Sequence, residues 1–243
     1  MLGSSKSTDA MLSTPRITIL ENGPYEVTGH IGLRRTSITP QGHGYLYVDE
    51  GEIEHSDTIM HLCRCGRSST PPFCDGSHVN VFDGRLTASR APFDERADVQ
   101  EGPTIDLMDD GRCAFARFCH RELGDAWTLA DQSDNPEKRA EAIEAACECP
   151  SGRLVAVDRQ TGEKIEHFYP PEIDVLQDPE RNADGPLRIK GNIELIGDDG
   201  IPYEARNRVA LCRCGHSRNK PFCDAEHVSF QWHEEEPGNY LEI

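Results

Sequence analysis

Ten cysteines lie in three groups, at positions 63–74, 113–149 and 212–223 of a 243-residue chain. Cys63 and Cys65 stand two apart, so both sulfurs can reach one metal ion from an extended or looped backbone. An eight-residue loop holding Gly66, Pro71 and Pro72 then turns the chain back. Cys74 and His78 follow at i and i+4, which puts a sulfur and a ring nitrogen on one side of a helical turn. Asp75 between them is the expected N-cap. The set is Cys3His, two ligands for each of two irons. It recurs at Cys212, Cys214, Cys223 and His227. Residues 62–79 (LCRCGRSSTPPFCDGSHV) and 211–228 (LCRCGHSRNKPFCDAEHV) align without a gap and are identical at 12 of 18 positions.

Two chemistries fit four Cys/His donors. A structural zinc ion takes such a set, and so does an iron–sulfur cluster. A cluster held by three thiolates is anionic, so a helix N-terminus favours it. The sequence offers Arg64 and the Ser68 hydroxyl as further stabilisers. Replacing one thiolate by neutral His raises the reduction potential. Two His on one iron lift it from about −400 mV to about −150 to +300 mV, and one His belongs between those cases. Protonation of the His competes with iron, which couples acid to redox or to cluster release.

The residues around the ligands carry a resemblance. The pattern C-x-C-x2-S-x3-P-x-C-D-G-S-H, met at every fixed position from Cys63 to His78, resembles the signature of the CDGSH iron–sulfur (NEET, mitoNEET-like) family. The second copy keeps Cys212, Cys214, Ser217, Pro221, Cys223, Asp224 and His227 but has Ala225-Glu226 for Gly-Ser. The resemblance implies a 2Fe-2S cluster at each copy, held by three Cys and one His in a β-cradle. Two copies in one chain imply an intramolecular pseudo-dimer, similar to the two-motif members of the family. Glu226 is expected to lower the potential of the second site and Ala225 to stiffen its turn, so the sites are expected to differ.

The middle cysteines are Cys113 and Cys119, spaced C-x2-A-x2-C with Ala116 between them, then Cys147 and Cys149-Pro150. This resembles three-cysteine 3Fe-4S ferredoxins or divergent single-cluster 4Fe-4S domains. It implies a third cluster on Cys113, Cys119 and Cys149. Cys147 is a candidate fourth ligand or a buried helix-end cysteine, and His120 is a weaker candidate. A small domain with one zinc or no metal remains the alternative.

The elements that must position these donors are short. Ile17–Leu20, Tyr45–Val48, Leu187–Ile189 and Ile193–Ile196 alternate as strands between Gly/Asp turns. An echo upstream pairs residues 23–29 (GPYEVTG) with 185–191 (GPLRIKG), which leaves 13 extra residues in the first copy before its motif. Residues 135–147 read as a helix with Pro136 near its start. Leu154–Val157 and Lys164–Phe168 flank a Thr161-Gly162-Glu163 turn as a hairpin. The fold expected is α+β and strand-rich. It has a disordered tail at 1–15, a first CDGSH unit at 16–90, a ferredoxin-like α+β insert at 91–178 and a second CDGSH unit at 179–243. Trp127, Trp232 and the Phe residues are expected in the core. His30, His43, His55, His61 and His167 are expected at the surface, and His216 in a loop beside the second site.

With 25 Lys+Arg against 43 Asp+Glu, net charge −18, the chain is a poor match for nucleic acid or an anionic membrane surface. No apolar run reaches the length of a span, and the N-terminus has no secretory h-region. Ten cysteines without an export signal point to metal in a reducing, cytoplasmic setting. No nucleophile or nucleotide-binding motif occurs, so an enzyme is not expected. The expected role is electron transfer, with a basic redox or cluster-acceptor protein as partner; cluster donation or redox/pH sensing is the alternative.

Overall fold

A computed structural model describes residues 14–55 and 58–236; apart from its last two residues, the expected tail lies outside them. The first repeat contributes β1 (Arg16–Ile19), β2 (Tyr25–Thr28), the long β3 (Gly32–Gln41) and β4 (Gly44–Glu52), and β5 (Ile59–Leu62). A short α1 (Phe93–Arg96) leads into β6 (Asp98–Glu101) and β7 (Ile105–Asp109). The ribbon β8 (His120–Arg121) and β9 (Gly124–Asp125) follows, then α2 (Ala126–Asp131), α3 (Pro136–Glu148), β10 (Leu154–Asp158) and β11 (Lys164–Ile165). The second repeat supplies β12 (Glu172–Asp178), β13 (Ala183–Lys190), β14 (Glu194–Ile196), β15 (Arg208–Leu211) and α4 (Glu226–Ser229). The architecture is α+β, with several sheets. No helix among the described residues is long and apolar enough to cross a membrane.

Each repeat folds its own antiparallel ladder, β1-β2-β5 in the first and β12-β13-β15 in the second. The next strand of each repeat then crosses over. β14 lies parallel to β1, with Arg16 opposite Glu194, and β3 lies parallel to β12, with Gly32 opposite Glu172. The sheets are therefore ordered β14-β1-β2-β5, with one strand from the second repeat, and β15-β13-β12-β3-β4, with two from the first. The extra residues of the first copy extend β3 into the β3–β4 hairpin. β12, read from sequence as the end of the central segment, belongs to the ladder of the second repeat.

Period-2 patterning explains the packing. Ile17 and Ile19 of β1 and Tyr25 and Val27 of β2 face inward and meet Ile173, Val175, Leu187 and Ile189 of the other ladder in one core. Full burial stabilises each by roughly 1.5–3 kcal/mol, and no ladder buries its face alone.

The central segment is a separate antiparallel sheet, β11-β10-β7-β6, covered by α2 and α3. The helix expected at 135–147 is α3. Asn135 caps it by accepting from the N–H groups of Glu137 and Lys138, and Pro136 occupies its first turn, where a missing N–H costs nothing. Its inner face is Ala142, Ala145 and Ala146, packed on Ile105, Leu107 and Leu154; small side chains let helix and sheet approach closely. The expected hairpin is β10–β11.

Candidate metal centres

The two repeated loops share one backbone frame. Cys63 N–H donates to Pro72 O at 2.7 Å and Cys212 N–H to Pro221 O at 2.9 Å. Cys74 N–H reaches His61 O at 2.8 Å, and Cys223 N–H reaches Ala210 O at 2.9 Å. Each loop is thus clamped to the strand that delivers its first cysteine. Pro72 and Pro221 both follow cis peptide bonds.

The arginine between the paired cysteines is an anchor. Arg64 is 1% exposed and donates to the carbonyls of Leu20, Gly23 and Gly84 at 2.9, 2.7 and 2.8 Å. Arg213 does the same to Gly185 and Leu176, at 2.7 and 2.9 Å, and pairs with Glu234. The guanidinium role expected from sequence, stabilising a cluster, is replaced by a structural one, because both side chains turn to backbone carbonyls of their own repeat. Ser68 Oγ likewise donates to Phe73 O, at 2.5 Å, within its own loop.

The donors come in pairs. Cys63 Sγ and Cys65 Sγ are 3.7 Å apart, and Cys212 Sγ and Cys214 Sγ 3.6 Å. Cys74 Sγ lies 3.3 Å from His78 Nδ1, and Cys223 Sγ 3.4 Å from His227 Nδ1. Tetrahedral coordination at about 2.3 Å to sulfur and about 2.0–2.1 Å to nitrogen puts two sulfurs about 3.8 Å apart and a sulfur and nitrogen about 3.5 Å apart. Each pair is therefore an edge of a tetrahedron. Among the described residues no three such donors gather at the spacing of a single ion. Two pairs, each with its own ion, fit a binuclear centre, and the soft thiolate set fits iron–sulfur chemistry.

The electrostatics favour one thiolate in each C-x-C pair: the hydrogen bond to the partner thiol, then burial, pushes Cys65 and Cys214 up, and burial pushes Cys74 and Cys223 up. A hydrogen bond from Cys65, followed by the backbone N–H groups of Ser68, Gly66 and Cys65, draws Cys63 down to about 6. Cys214 and the N–H groups of Ser217 and Gly215 draw Cys212 down to about 7. Burial, with Arg213 nearby, lowers His227 to about 4. It is therefore neutral at pH 7, the form that ligates a metal.

The two loops differ where their sequences differ. Cys223 and His227 are each 3% exposed, whereas Cys74 and His78 reach the surface. The helix expected to begin at Cys74 is present only in the second copy, as the one-turn α4; residues 76–80 of the first form turns. Asp75 is not an N-cap. It accepts from Ser69 N–H at 2.8 Å, Ser69 Oγ at 2.7 Å and Ser77 N–H at 2.9 Å, and so staples the loop. Ala225 takes the left-handed conformation, φ 72°, that Gly76 takes in the first copy at φ 90°. The Glu226 carboxylate pairs with Arg218, which offsets the charge expected to depress the potential of the second site.

The two loops also touch. A Cβ on Gly66 would lie 2.3 Å from Cys214 O, and one on Gly215 would lie 2.4 Å from Cys65 O. Only glycine permits this reciprocal approach. Trp232 packs on Cys212 and Cys214 and donates from Nε1 to Gly66 O at 3.2 Å. Tyr25, in the first repeat, donates to Cys212 O at 2.8 Å in the second. Sequence reading placed Trp232 only in the core and gave Tyr25 no role. The glycine after each C-x-C pair was the available signal for the contact.

In the central segment Cys119, Cys149 and Cys113 are neighbours: burial first, then the charges of Cys149 and Cys113, push Cys119 up to about 12. A bound cation relieves such crowding, because a coordinating thiol gives up its proton. Phe115 N–H donates to Cys113 Sγ at 3.3 Å, Ser151 Oγ lies 3.4 Å from Cys149 Sγ, and Arg153 lies beside Cys113. Ala116, where a third closely spaced cysteine would stand, is buried with Ile38, Phe118 and Leu176. Cys147 is not brought to the trio. Its thiol is turned to Ile165 O, 3.5 Å away, at the helix end. Of the aromatic residues expected in the core, Phe168 is 91% and Phe115 41% exposed. His61 and His167 pair with Glu26 and Glu144 at the surface, and His216 stacks on Phe230 at 4.3 Å.

Comparison with known proteins agrees with this geometry. The family described as iron-binding zinc finger CDGSH type matches residues 22–79 and again 184–228. The family described as divergent 4Fe-4S mono-cluster matches residues 100–159 between them. No curated protein and no solved structure matches the chain. Two CDGSH-type iron-binding domains thus flank a divergent 4Fe-4S domain in this chain, the two-motif arrangement with a central ferredoxin-like segment, and the chain is an iron–sulfur protein.

Proposed function

We propose that the chain is an electron-transfer protein with two 2Fe-2S clusters, one on Cys63, Cys65, Cys74 and His78 and one on Cys212, Cys214, Cys223 and His227. A third cluster, 3Fe-4S or 4Fe-4S, sits on Cys113, Cys119 and Cys149. The observation that carries this reading is the pairing of donors at tetrahedral edges, 3.7 and 3.3 Å in the first loop and 3.6 and 3.4 Å in the second. The exchanged strands β3 and β14 support the reading of the two repeats as β-cradle halves of an internal pseudo-dimer. We take the first unit as 16–90 and the second as starting at Glu172, where its ladder begins. The protein's own residues hold the donors, shelter them and set their potentials. The clusters supply the one-electron chemistry when bound. No substrate site is part of this reading, and the protein is not an enzyme. A cytoplasmic monomer working with a basic redox protein fits its acidic charge.

Iron, acid-labile sulfide and zinc analysis with EPR of the purified chain tests the assignment. About seven or eight irons per chain, with two rhombic 2Fe-2S signals on reduction and a third distinct signal, are expected. Stoichiometric zinc without sulfide overturns it. A second reading, cluster donation or redox/pH sensing, draws on the surface position of Cys74 and His78. Rapid loss of the first cluster to an apo-ferredoxin acceptor favours it over electron transfer.

A further inference from the structure

The loop of the second CDGSH motif borders both other centres. On one side its Gly215 and Cys214 meet Cys65 and Gly66 of the first loop, backbone against backbone. On the other side Cys223 packs with Ala114, next to Cys113, and Cys113 and Cys223 line one cleft. Three contacts fix that second junction. Arg208, 1% exposed and four residues before Cys212, donates to Cys149 O at 2.8 Å. Arg206 donates to Gly152 O at 2.9 Å, and Gly152 is packed so closely on Arg208 O that a Cβ would lie 2.5 Å from it. Arg117, between Cys113 and Cys119, forms a two-pronged pair with Asp178 at the end of β12, at 2.7 and 2.8 Å. Such planar, buried pairs fix orientation as well as distance. Exposure is lowest in the middle: Cys223 and His227 are 3% exposed, whereas Cys74 and His78 on one side and Cys113, Cys119 and Cys149 on the other are half-buried.

We propose that the three centres form a line with the second CDGSH site in the middle. The first site is a port at which a redox protein delivers or collects electrons, and the three-cysteine centre is the opposite end of the line. This order rests on the electron-transfer reading. One electron from the external redox protein reduces the first site; the first is reoxidised as the second is reduced, and the second as the three-cysteine centre is reduced. No atom is transferred. The second motif is thus a relay and not a spare copy. Its buried histidine and covering Trp232 keep outside redox agents off the middle of the line.

The test uses the full cluster-loaded chain, reduced, with pulsed EPR and a water-soluble dysprosium chelate as relaxation probe. The expected result is spin coupling of the second-site signal to both others, weaker coupling between the first site and the three-cysteine centre, and strong relaxation by the chelate of the first-site signal against little for the second. His227→Cys, which keeps a ligand in place, assigns the second-site signal by shifting it alone. Stronger coupling of the first site to the three-cysteine centre than to the second, or equal relaxation of both CDGSH signals by the chelate, overturns the order while electron transfer stands. A loaded chain that cannot be reduced and reoxidised reversibly overturns the electron-transfer reading and the order together.

Discussion

The contact between the two ligand loops makes a sharp prediction because the sequence contains its own control. Gly66→Ala adds a methyl group 2.3 Å from Cys214 O, at φ 74°. Gly76→Ala adds one at φ 90°, with nothing within 4 Å. Both substitutions force a left-handed alanine, which costs about 1–2 kcal/mol. Only Gly66→Ala also drives a side chain into rigid backbone. The loops must separate by about 1 Å to restore contact distance, and overpacking of that kind costs a further 1–3 kcal/mol or so. Denaturant unfolding of the loaded protein, followed by far-UV circular dichroism and by the visible band, measures the difference between the variants. Gly66→Ala is expected to be less stable than Gly76→Ala by that second increment, and to weaken the coupling between the two CDGSH signals. Equal stability of the two variants, with wild-type coupling, refutes the reasoning that close approach of the loops is what requires glycine.

Three further substitutions have expected outcomes. Ala225→Gly relieves the left-handed alanine of the second loop and is expected to stabilise the protein by about 1 kcal/mol in the same unfolding assay. Tyr25→Phe removes the hydroxyl that donates to Cys212 O and Pro221 O. It is expected to cost about 1–3 kcal/mol and to alter the second-site EPR signal, although Tyr25 lies in the first repeat; a change confined to the first signal counts against the cross-repeat contact. Glu234→Gln uncouples Arg213 and Arg35 from their shared buried carboxylate. Leaving Arg213, 2% exposed, without a counter-charge is expected to cost about 3 kcal/mol, read as a lower denaturation midpoint with an unchanged slope.

The eight candidate donors of the CDGSH loops stood out in the sequence because spacing and repetition are local properties. Two donors two or four residues apart have few ways to be far apart in space. Helix α3 and the β10–β11 hairpin were legible for the same reason, through a proline with helix formers after it and a turn glycine. What the sequence did not reveal is non-local. β14 read as a strand in its own repeat and β3 was not singled out, and nothing in a period-2 pattern names the partner edge; the exchange depends on which ladder offers one. The role of Arg64 was misread because a cation beside two thiols suggests charge pairing, whereas the carbonyls of Leu20 and Gly23 at the β1–β2 turn and of Gly84 after the ligand loop claim the guanidinium. Asp75 was misread because the short helix it was to cap never forms in the first copy. The trio Cys113, Cys119 and Cys149 was readable from spacing, but the turning away of Cys147 depends on how the end of α3 sits against β11.

The crossing of β3 and β14 has a consequence for how this chain can be divided. Cutting between the repeats frees no self-sufficient module, since each fragment takes with it a strand that belongs at its sibling's edge and leaves its own ladder open there. Such naked edges invite pairing with any available strand. Two fragments expressed apart should therefore be prone to aggregate, and when mixed should find each other. The long central segment acts as a leash that keeps the complementary edges at high effective concentration, so the mated arrangement survives dilution that would dissociate a pair of unlinked subunits.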